Sequence, residues 1–387
     1  MSKIYKKKRY SICIWMNIPS HHQEYFFKAL HEHGAIDLEV RYYALELLEQ
    51  RKKCGWILPN LEEYEKISLS PEEILSPRLK KRIHVIAPGG KFTTELAILA
   101  TRNNLCWCHW SERLELPLAT KLGFRNWLWQ ALCPVYWFYY TRIKPDPYWK
   151  LLKTSARLIF AQGVLAQKSL KHWGAAPNKI FPLYYTVAAL PHDELDMETL
   201  HYAAGKRIFL CCASLEKRKG ISILLQAFAL LHDVPNWCIV FVGNDHSQGY
   251  FQQQAKALGI ETKVFFRGTV TSDHIAKVIA AADVFVLPTL FDGWGVVLNE
   301  AASLGKPLIS TTECGAAWHL IHPGQNGFRV KSNNVSALCN AMRTYIKKPA
   351  LISEHGQNSL RIFQEFTPEK NVERLLTAFE KSEIEYD

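Results

Sequence analysis

No run in the 387 residues approaches the roughly 18 consecutive apolar positions that a spanning helix needs, so the chain is expected not to cross a membrane. The basic start MSKIYKKKRY is followed by an apolar stretch, Ile12 to Ile18, that is too short for a secretory signal, and no small-residue cleavage site follows. No pair among the ten cysteines has C-x2-C spacing: Cys106 and Cys108 are one residue apart, and Cys211 and Cys212 are adjacent. A zinc ribbon or a secreted disulfide scaffold is thereby disfavoured. Most of these thiols lie in apolar runs as small hydrophobes, which suits a reduced, intracellular protein. There is no short internal repeat and no recognisable DNA- or RNA-binding motif.

Acidic residues are scarce in the first half. Residues 1–190 hold 28 Lys and Arg against 15 Asp and Glu, a balance of +13, whereas the remainder is near neutral within the net +11. One half therefore suits an anionic partner, a membrane surface or nucleic acid, unless the charge serves only solubility.

With 48% apolar residues, the chain is long enough for two packed domains. Short apolar runs alternate with helix-period segments, the pattern of an α/β protein with doubly wound parallel sheets. In the first half, strands are predicted at 10–15, 38–43, 82–86, 105–110 and 155–161, with helices at 23–33, 92–101 and 166–173. Residues 59–82 read as an excursion from the core. The segment PHDELDMETLHYAAGK (191–206) is acidic and weakly apolar, as an exposed linker would be. Alternation then restarts, with strands at 207–212, 237–243, 264–267, 284–288 and 307–310. The intervening helices are at 221–231, 250–258, 273–281 and 296–304. The expected layout is an N-terminal domain over 1–190, the linker 191–206, a C-terminal domain over 207–365, and a closing helix in 366–387 that packs back on the N-domain.

The stretch ADVFVLPTLFDGWGVVLNEAASLGKPLIS holds a strand, the loop Asp292-Gly293-Trp294-Gly295 and a helix. Ligands of open α/β sheets bind beyond the carboxyl ends of strands. Glycines there allow close backbone approach, so Gly293, Trp294, Gly295 and Val296 could offer amides to a pyrophosphate. Asp292 precedes the helix and Glu300 lies about a turn inside it. Each carboxylate can accept from two vicinal hydroxyls, one on a sugar and one on a ribose. The plainer alternative is a helix with ordinary acidic residues near its N-terminus. In CCASLEKRKGISILLQAF, Lys219 sits between a strand and a helix, either neutralising a diphosphate or as part of a solvated basic turn.

Together FLCCASLEKRKGISILLQAF, FVGNDHSQ, VFFRGTVTSDHIAKVIAAADVFVLPTLFDGWGVVLNEAASLGKPLIS and HPGQNGFRV resemble, in order, the C-terminal pattern of family 4 retaining glycosyltransferases. SARLIFAQGVLAQKSLKHWGAAPNKIFPLYYTV extends the resemblance more weakly into the N-terminal half. The resemblance implies a GT-B fold, two Rossmann-like domains facing a central cleft, and a nucleotide-sugar donor (UDP-, GDP- or ADP-linked) used without a metal or other cofactor. It implies that Asp292, in place of a glutamate, holds donor-sugar hydroxyls, Glu300 the ribose, Lys219 the phosphates, and Thr269 and Val270 the base. The family's arginine five residues before the lysine is replaced by Ser214, and Arg218 is the nearest substitute. His109, at the end of a predicted strand, matches a family histidine that contacts the donor; alternatively it merely closes the strand.

The N-terminal half carries less signal. His21 and His22 follow the first strand and make a poor metal pair, Ala87-Pro88-Gly89-Gly90 follows another strand, and Glu112 is a further candidate. Residues 121–150 combine Trp127, Trp129, Trp137 and Tyr139 with Arg125, Arg142 and Lys144. They form either a headgroup-contacting face or a buried helix pair. The expectation is a cytoplasmic glycosyltransferase, peripheral on the membrane if the first reading holds, that acts on a saccharide or lipid-linked saccharide in envelope polysaccharide or lipopolysaccharide assembly. The rivals are a same-fold epimerase or phosphorylase, a non-catalytic sugar-nucleotide binder and a nucleic-acid-binding protein.

Overall fold

A computed structural model describes residues 10–47, 49, 60–87, 90–113, 147–191, 194–231, 234–271 and 274–384. The chain divides into two units, residues 1–184 with 369–387 and residues 185–368.

The N-terminal unit is built on a seven-stranded sheet of order β3-β2-β1-β4-β5-β6-β7. Its strands are β1 Tyr10–Met16, β2 Ile36–Tyr42, β3 Glu65–Ile67, β4 Ile83–Ile86, β5 Trp107–Ser111, β6 Ile159–Ala161 and β7 Ile180–Pro182. Every described pairing is parallel. Successive side chains of a strand face opposite sides, and β1 serves two cores accordingly. Tyr10, Ile12, Ile14 and Met16 join α1 (His21–Glu32), whereas Cys13 and Trp15 join Leu96, Ala97 and Ala100 of α2 (Lys91–Arg102). The helices α3 (Pro147–Thr154) and α4 (Gly163–His172) complete the second layer.

Two expectations shift in this unit. The strand read as 155–161 begins only at Ile159, because Ser155 and Ala156 still donate to the Leu151 carbonyl and extend the helical turn before it. The excursion 59–82 contains the short edge strand β3 and a 3-10 turn, Pro71–Leu75, closed by a Ser70–Glu73 capping box. Three residues are too few to show a period.

The C-terminal unit opens with α5 (Met197–Ala203), inside the segment read as an exposed linker. Asp196 caps this helix through the Thr199 amide (2.9 Å) and also meets His274 (2.8 Å) and Arg267 (3.4 Å). Burial pushes its carboxyl up, but these hydrogen bonds prevail and hold it well below the usual range. The polar composition that suggests a linker thus satisfies a cap.

Six strands follow: β8 Arg207–Cys212, β9 Trp237–Val242, β10 Val264–Gly268, β11 Val284–Leu287, β12 Leu308–Thr311 and β13 Gly327–Val330. Their order is β10-β9-β8-β11-β12-β13, again parallel. This is the dinucleotide-fold order, and it reverses between β8 and β11. Covered on both faces, the strands are continuous apolar runs such as WCIVFV, buried at every position. The helices are α6 (Ile221–Ala229), α7 (Tyr250–Ala257), α8 (Ile275–Ala281), α9 (Val297–Ser303), α10 (Ala317–Leu320), α11 (Val335–Lys347) and α12 (Ala350–Phe363). The last helix, α13 (Pro368–Lys381), adds Val372, Leu375, Ala378 and Phe379 to the N-terminal core, where Phe379 lies 5.3 Å from the Tyr10 ring.

Candidate active site

Because β8 and β11 are neighbours in the sheet but not in sequence, the loops leaving their carboxyl ends diverge to opposite faces and open a crevice, the usual ligand position. Lys219 lies on the loop after β8 and Asp292 on the loop after β11.

The two loops are closely joined. The Arg218 carbonyl accepts from the Leu290 amide (2.8 Å) and the Thr289 hydroxyl (3.1 Å), and the Arg218 guanidinium donates to the Phe291 carbonyl (3.1 Å). Gly220 turns the chain at φ +72°, and a Cβ there would stand 2.0 Å from the Pro288 carbonyl oxygen. Only glycine allows that approach. The Lys219 ammonium consequently reaches Asp292 Oδ2 at 2.6 Å, with both side chains mostly shielded.

A third loop, after β12, supports the Asp292 segment. Asp292 donates its amide to Glu313 (3.0 Å) and accepts from Gly315 (3.2 Å), while the Cys314 thiol donates to the Trp294 carbonyl (3.0 Å). A Cβ on Gly315 would meet the Gly293 oxygen at 2.2 Å, and one on Gly295 (φ +89°) would meet Cys314 Sγ at 2.7 Å. The Trp294 side chain is a core element. Its indole donates to Asn299 (2.9 Å) and stacks on His319 at 5.6 Å, so any ligand contact from this residue comes through its backbone.

Glu300 lies in α9, and no hydrogen bond or ion pair reaches its carboxyl from the described residues. Burial alone raises its pKa from 4.5 to about 7. Its charge adds, after burial and Cys211, to the forces that push the Cys212 thiol upward. A half-buried carboxylate with no partner among the described residues is a characteristic of binding sites.

Ser214, where the resembled family has arginine, donates to Glu216 (2.8 Å), and the same carboxylate oxygen accepts from Arg218 (2.9 Å). Glu216 thereby holds the Arg218 guanidinium beside the serine. Thr269 and Val270 follow Gly268 at the carboxyl end of β10, Thr269 exposed and Val270 half-buried.

His109 belongs to the N-terminal unit. It is 1% exposed within β5, with Nδ1 2.7 Å from the Tyr148 hydroxyl and Nε2 2.8 Å from the Ser111 hydroxyl. Burial lowers its pKa to about 3, so the ring is neutral and its two nitrogens take opposite hydrogen-bond roles. Donor contact would require exchanging one of these partners. His21 and His22 start α1 at successive positions, and Glu112 follows β5. Pro88, Gly89, Trp127, Trp129, Trp137, Tyr139, Arg125, Arg142 and Lys144 lie outside the described residues. No metal-ligating cluster occurs among the described residues, and none of their helices is long and apolar enough to cross a membrane.

The structure thus brings together Lys219, Arg218, Asp292 and the Gly293–Val296 loop. It adds Glu216, Cys314 and Gly315, which the sequence reading did not single out. A glycine just past a strand end, in TTECG, was the available signal.

Residues 193–362 match the family of glycosyl transferases group 1. Among relatives, a D-inositol 3-phosphate glycosyltransferase of Streptomyces avermitilis is 24% identical over 235 residues, 55% of this chain and 49% of the relative. The lipopolysaccharide core biosynthesis glycosyltransferase LpsE of Rhizobium meliloti is 26% identical over 169 residues, 43% of this chain and 48% of the relative. The chain thus spans about half the length of these curated relatives. Among solved structures, Anabaena HepE in complex with UDP superposes with a TM-score of 0.71 at 17% identity, over 96% of this chain and 99% of that one. Over residues 193–362 the chain is therefore similar to the glycosyl transferases group 1, and the chain carries the GT-B fold.

Proposed function

We propose that the protein is a retaining, metal-independent glycosyltransferase that moves a sugar from a nucleoside diphosphate sugar to an acceptor hydroxyl. The observation that carries this reading is the Glu300 carboxyl, without a partner among the described residues and with its pKa raised by burial to about 7, beside the strand-order reversal that also presents the Lys219–Asp292 pair. Glu300 accepts from the vicinal hydroxyls of the ribose. The amides of Gly293–Val296, Lys219 and Arg218 balance the diphosphate, and Asp292 takes sugar hydroxyls. The base lies against the Thr269–Val270 backbone.

In the transfer the bond from the anomeric carbon to the phosphate oxygen breaks as the acceptor oxygen attacks the same face. The acceptor proton passes to the leaving phosphate. Preorganised positive charge on that phosphate is the main catalytic contribution. The UDP complex of HepE supports a nucleoside diphosphate donor, and the resemblance to LpsE supports a saccharide or lipid-linked saccharide acceptor in envelope polysaccharide or lipopolysaccharide assembly; the cytoplasmic face of the membrane is the place we assign to it.

Thermal-shift measurements with UDP, GDP, ADP and their sugar conjugates test this. One nucleotide at a hundred times its Kd should stabilise by about 2.7 kcal/mol, and Glu300→Ala should abolish the shift. Absence of any shift in the wild type would remove the donor-site assignment. A second reading, a sugar-nucleotide binder without transfer, is favoured by Ser214 in place of arginine and by Asp292 already tied to Lys219. Donor turnover by the pure protein excludes it.

A further inference from the structure

The C-terminal unit has a second concavity, of about 570 Å³, that shares no lining residue with the donor loops. One wall is α10 and the turn after it, bearing Trp318, His322 and Gln325. The other is the end of α12 and the turn beyond, bearing Asn358, Arg361, Glu365 and Phe366.

Two features set its chemistry. The first is a fixed aromatic floor. The Trp318 indole donates to the Thr312 carbonyl (2.9 Å) and has the Arg329 guanidinium 4.2 Å from its ring centre, which locks its plane. Phe366 packs edge-on to His319 at 6.2 Å, and His319 in turn stacks on the core Trp294. The second is a rim of mixed polarity. Arg361, in the last turn of α12, and Glu365, in the 3-10 turn that follows it, both line the concavity and bring a planar donor fork and a two-oxygen acceptor to its rim. Asn358 donates to the Gln325 carbonyl (2.6 Å) and retains its amide oxygen and second N–H.

A free phosphate would meet Glu365 beside Arg361, and a purely apolar ligand would strand the rim. A pyranose suits both features. Its C–H face is apolar and flat enough for an aromatic floor, and each hydroxyl both donates and accepts. The volume lies in the range of small-molecule sites. We propose that this concavity is a saccharide-binding site, with a sugar ring over Trp318 and Phe366 and its vicinal hydroxyls bridging Arg361 and Glu365. The proposal goes beyond the transfer reading and does not depend on it.

Saturation-transfer NMR on the full chain with maltotriose, cellotriose and triacetylchitotriose, each at millimolar concentration, tests it. At least one should receive saturation from the wild type. Arg361→Ala and Glu365→Gln, both exposed positions, should weaken that ligand by about tenfold each, the loss of one charge-assisted hydrogen bond. Both variants should keep the wild-type melting temperature and any nucleotide shift. Glu300→Ala should leave the trisaccharide signal intact while removing the nucleotide shift, which separates failure here from failure of the donor site. The proposal is overturned if no trisaccharide responds, if the Arg361→Ala/Glu365→Gln double variant binds as the wild type does, or if Glu300→Ala abolishes the signal.

Discussion

Glu300 and Asp292 are both carboxylates of one candidate site, yet their surroundings give them opposite states: Asp292 is paired with Lys219, whereas Glu300 is half-buried with no partner among the described residues. The isolation of Glu300 costs stability in a pH window fixed by its two pKa values. Folded, the carboxyl holds its proton up to about pH 7; unfolded, it releases it near 4.5. The unfolded state thus binds fewer protons between those values, and stability falls as pH rises through them. Glu300→Gln removes this dependence. Its melting temperature should equal that of the wild type below about pH 4.5 and exceed it above pH 7, while nucleotide binding is lost. Equal melting curves at pH 8 would mean that the carboxyl is hydrated after all. Asp292 gives a prediction of the other kind. Any diphosphate must draw the Lys219 ammonium from Asp292 Oδ2, so Asp292→Asn, which frees the lysine, should tighten UDP binding severalfold in calorimetry while reducing transfer. Weaker UDP binding would show that Lys219 needs Asp292 for its position.

At the level of elements, the loops of the candidate donor site are held by backbone contacts that only glycine permits. Gly220→Ala would drive a methyl into the Pro288 carbonyl at a left-handed φ of +72°, and should cost ~2–4 kcal/mol, read as a lower denaturant midpoint at unchanged slope. An unaltered midpoint would mean that the two loops are not in contact. These same constraints explain what the sequence disclosed. Strands such as 207–212 were readable to the residue, because a strand buried on both faces is an unbroken apolar run with sharp ends. The Asp292–Glu300 stretch was readable because glycines and carboxylates cluster just past such an end. The linker reading failed at α5, where polarity reflected a cap and an ion-pair network around Asp196. The strand β3 left no period to detect, and β13 with α11 and α12 received no assignment. The roles of Glu216, Cys314 and Gly315 depend on loops brought together by strand order, which no local pattern encodes.

For the whole molecule, the excess of basic residues in the first half has a measurable consequence if that half meets an anionic surface. Sedimentation with vesicles containing phosphatidylserine should retain the protein at low salt and release it near 0.5 M NaCl, where the Debye length is only a few ångströms. Retention unaffected by salt would point to an apolar anchor, and no retention at low salt would dismiss the membrane partner. The N-terminal core has one more property: it is assembled from both sides of the other unit, since Phe379 of α13 packs against Tyr10 of β1 and Phe160 of β6. On the ribosome, the unit whose synthesis starts first is therefore the last to be completed. Its sheet emerges lacking one helix, and at about 5–20 residues per second it waits roughly ten to forty seconds while residues 185–368 are made. The C-terminal unit, continuous in sequence, can close in that interval, so the order of folding runs against the order of translation.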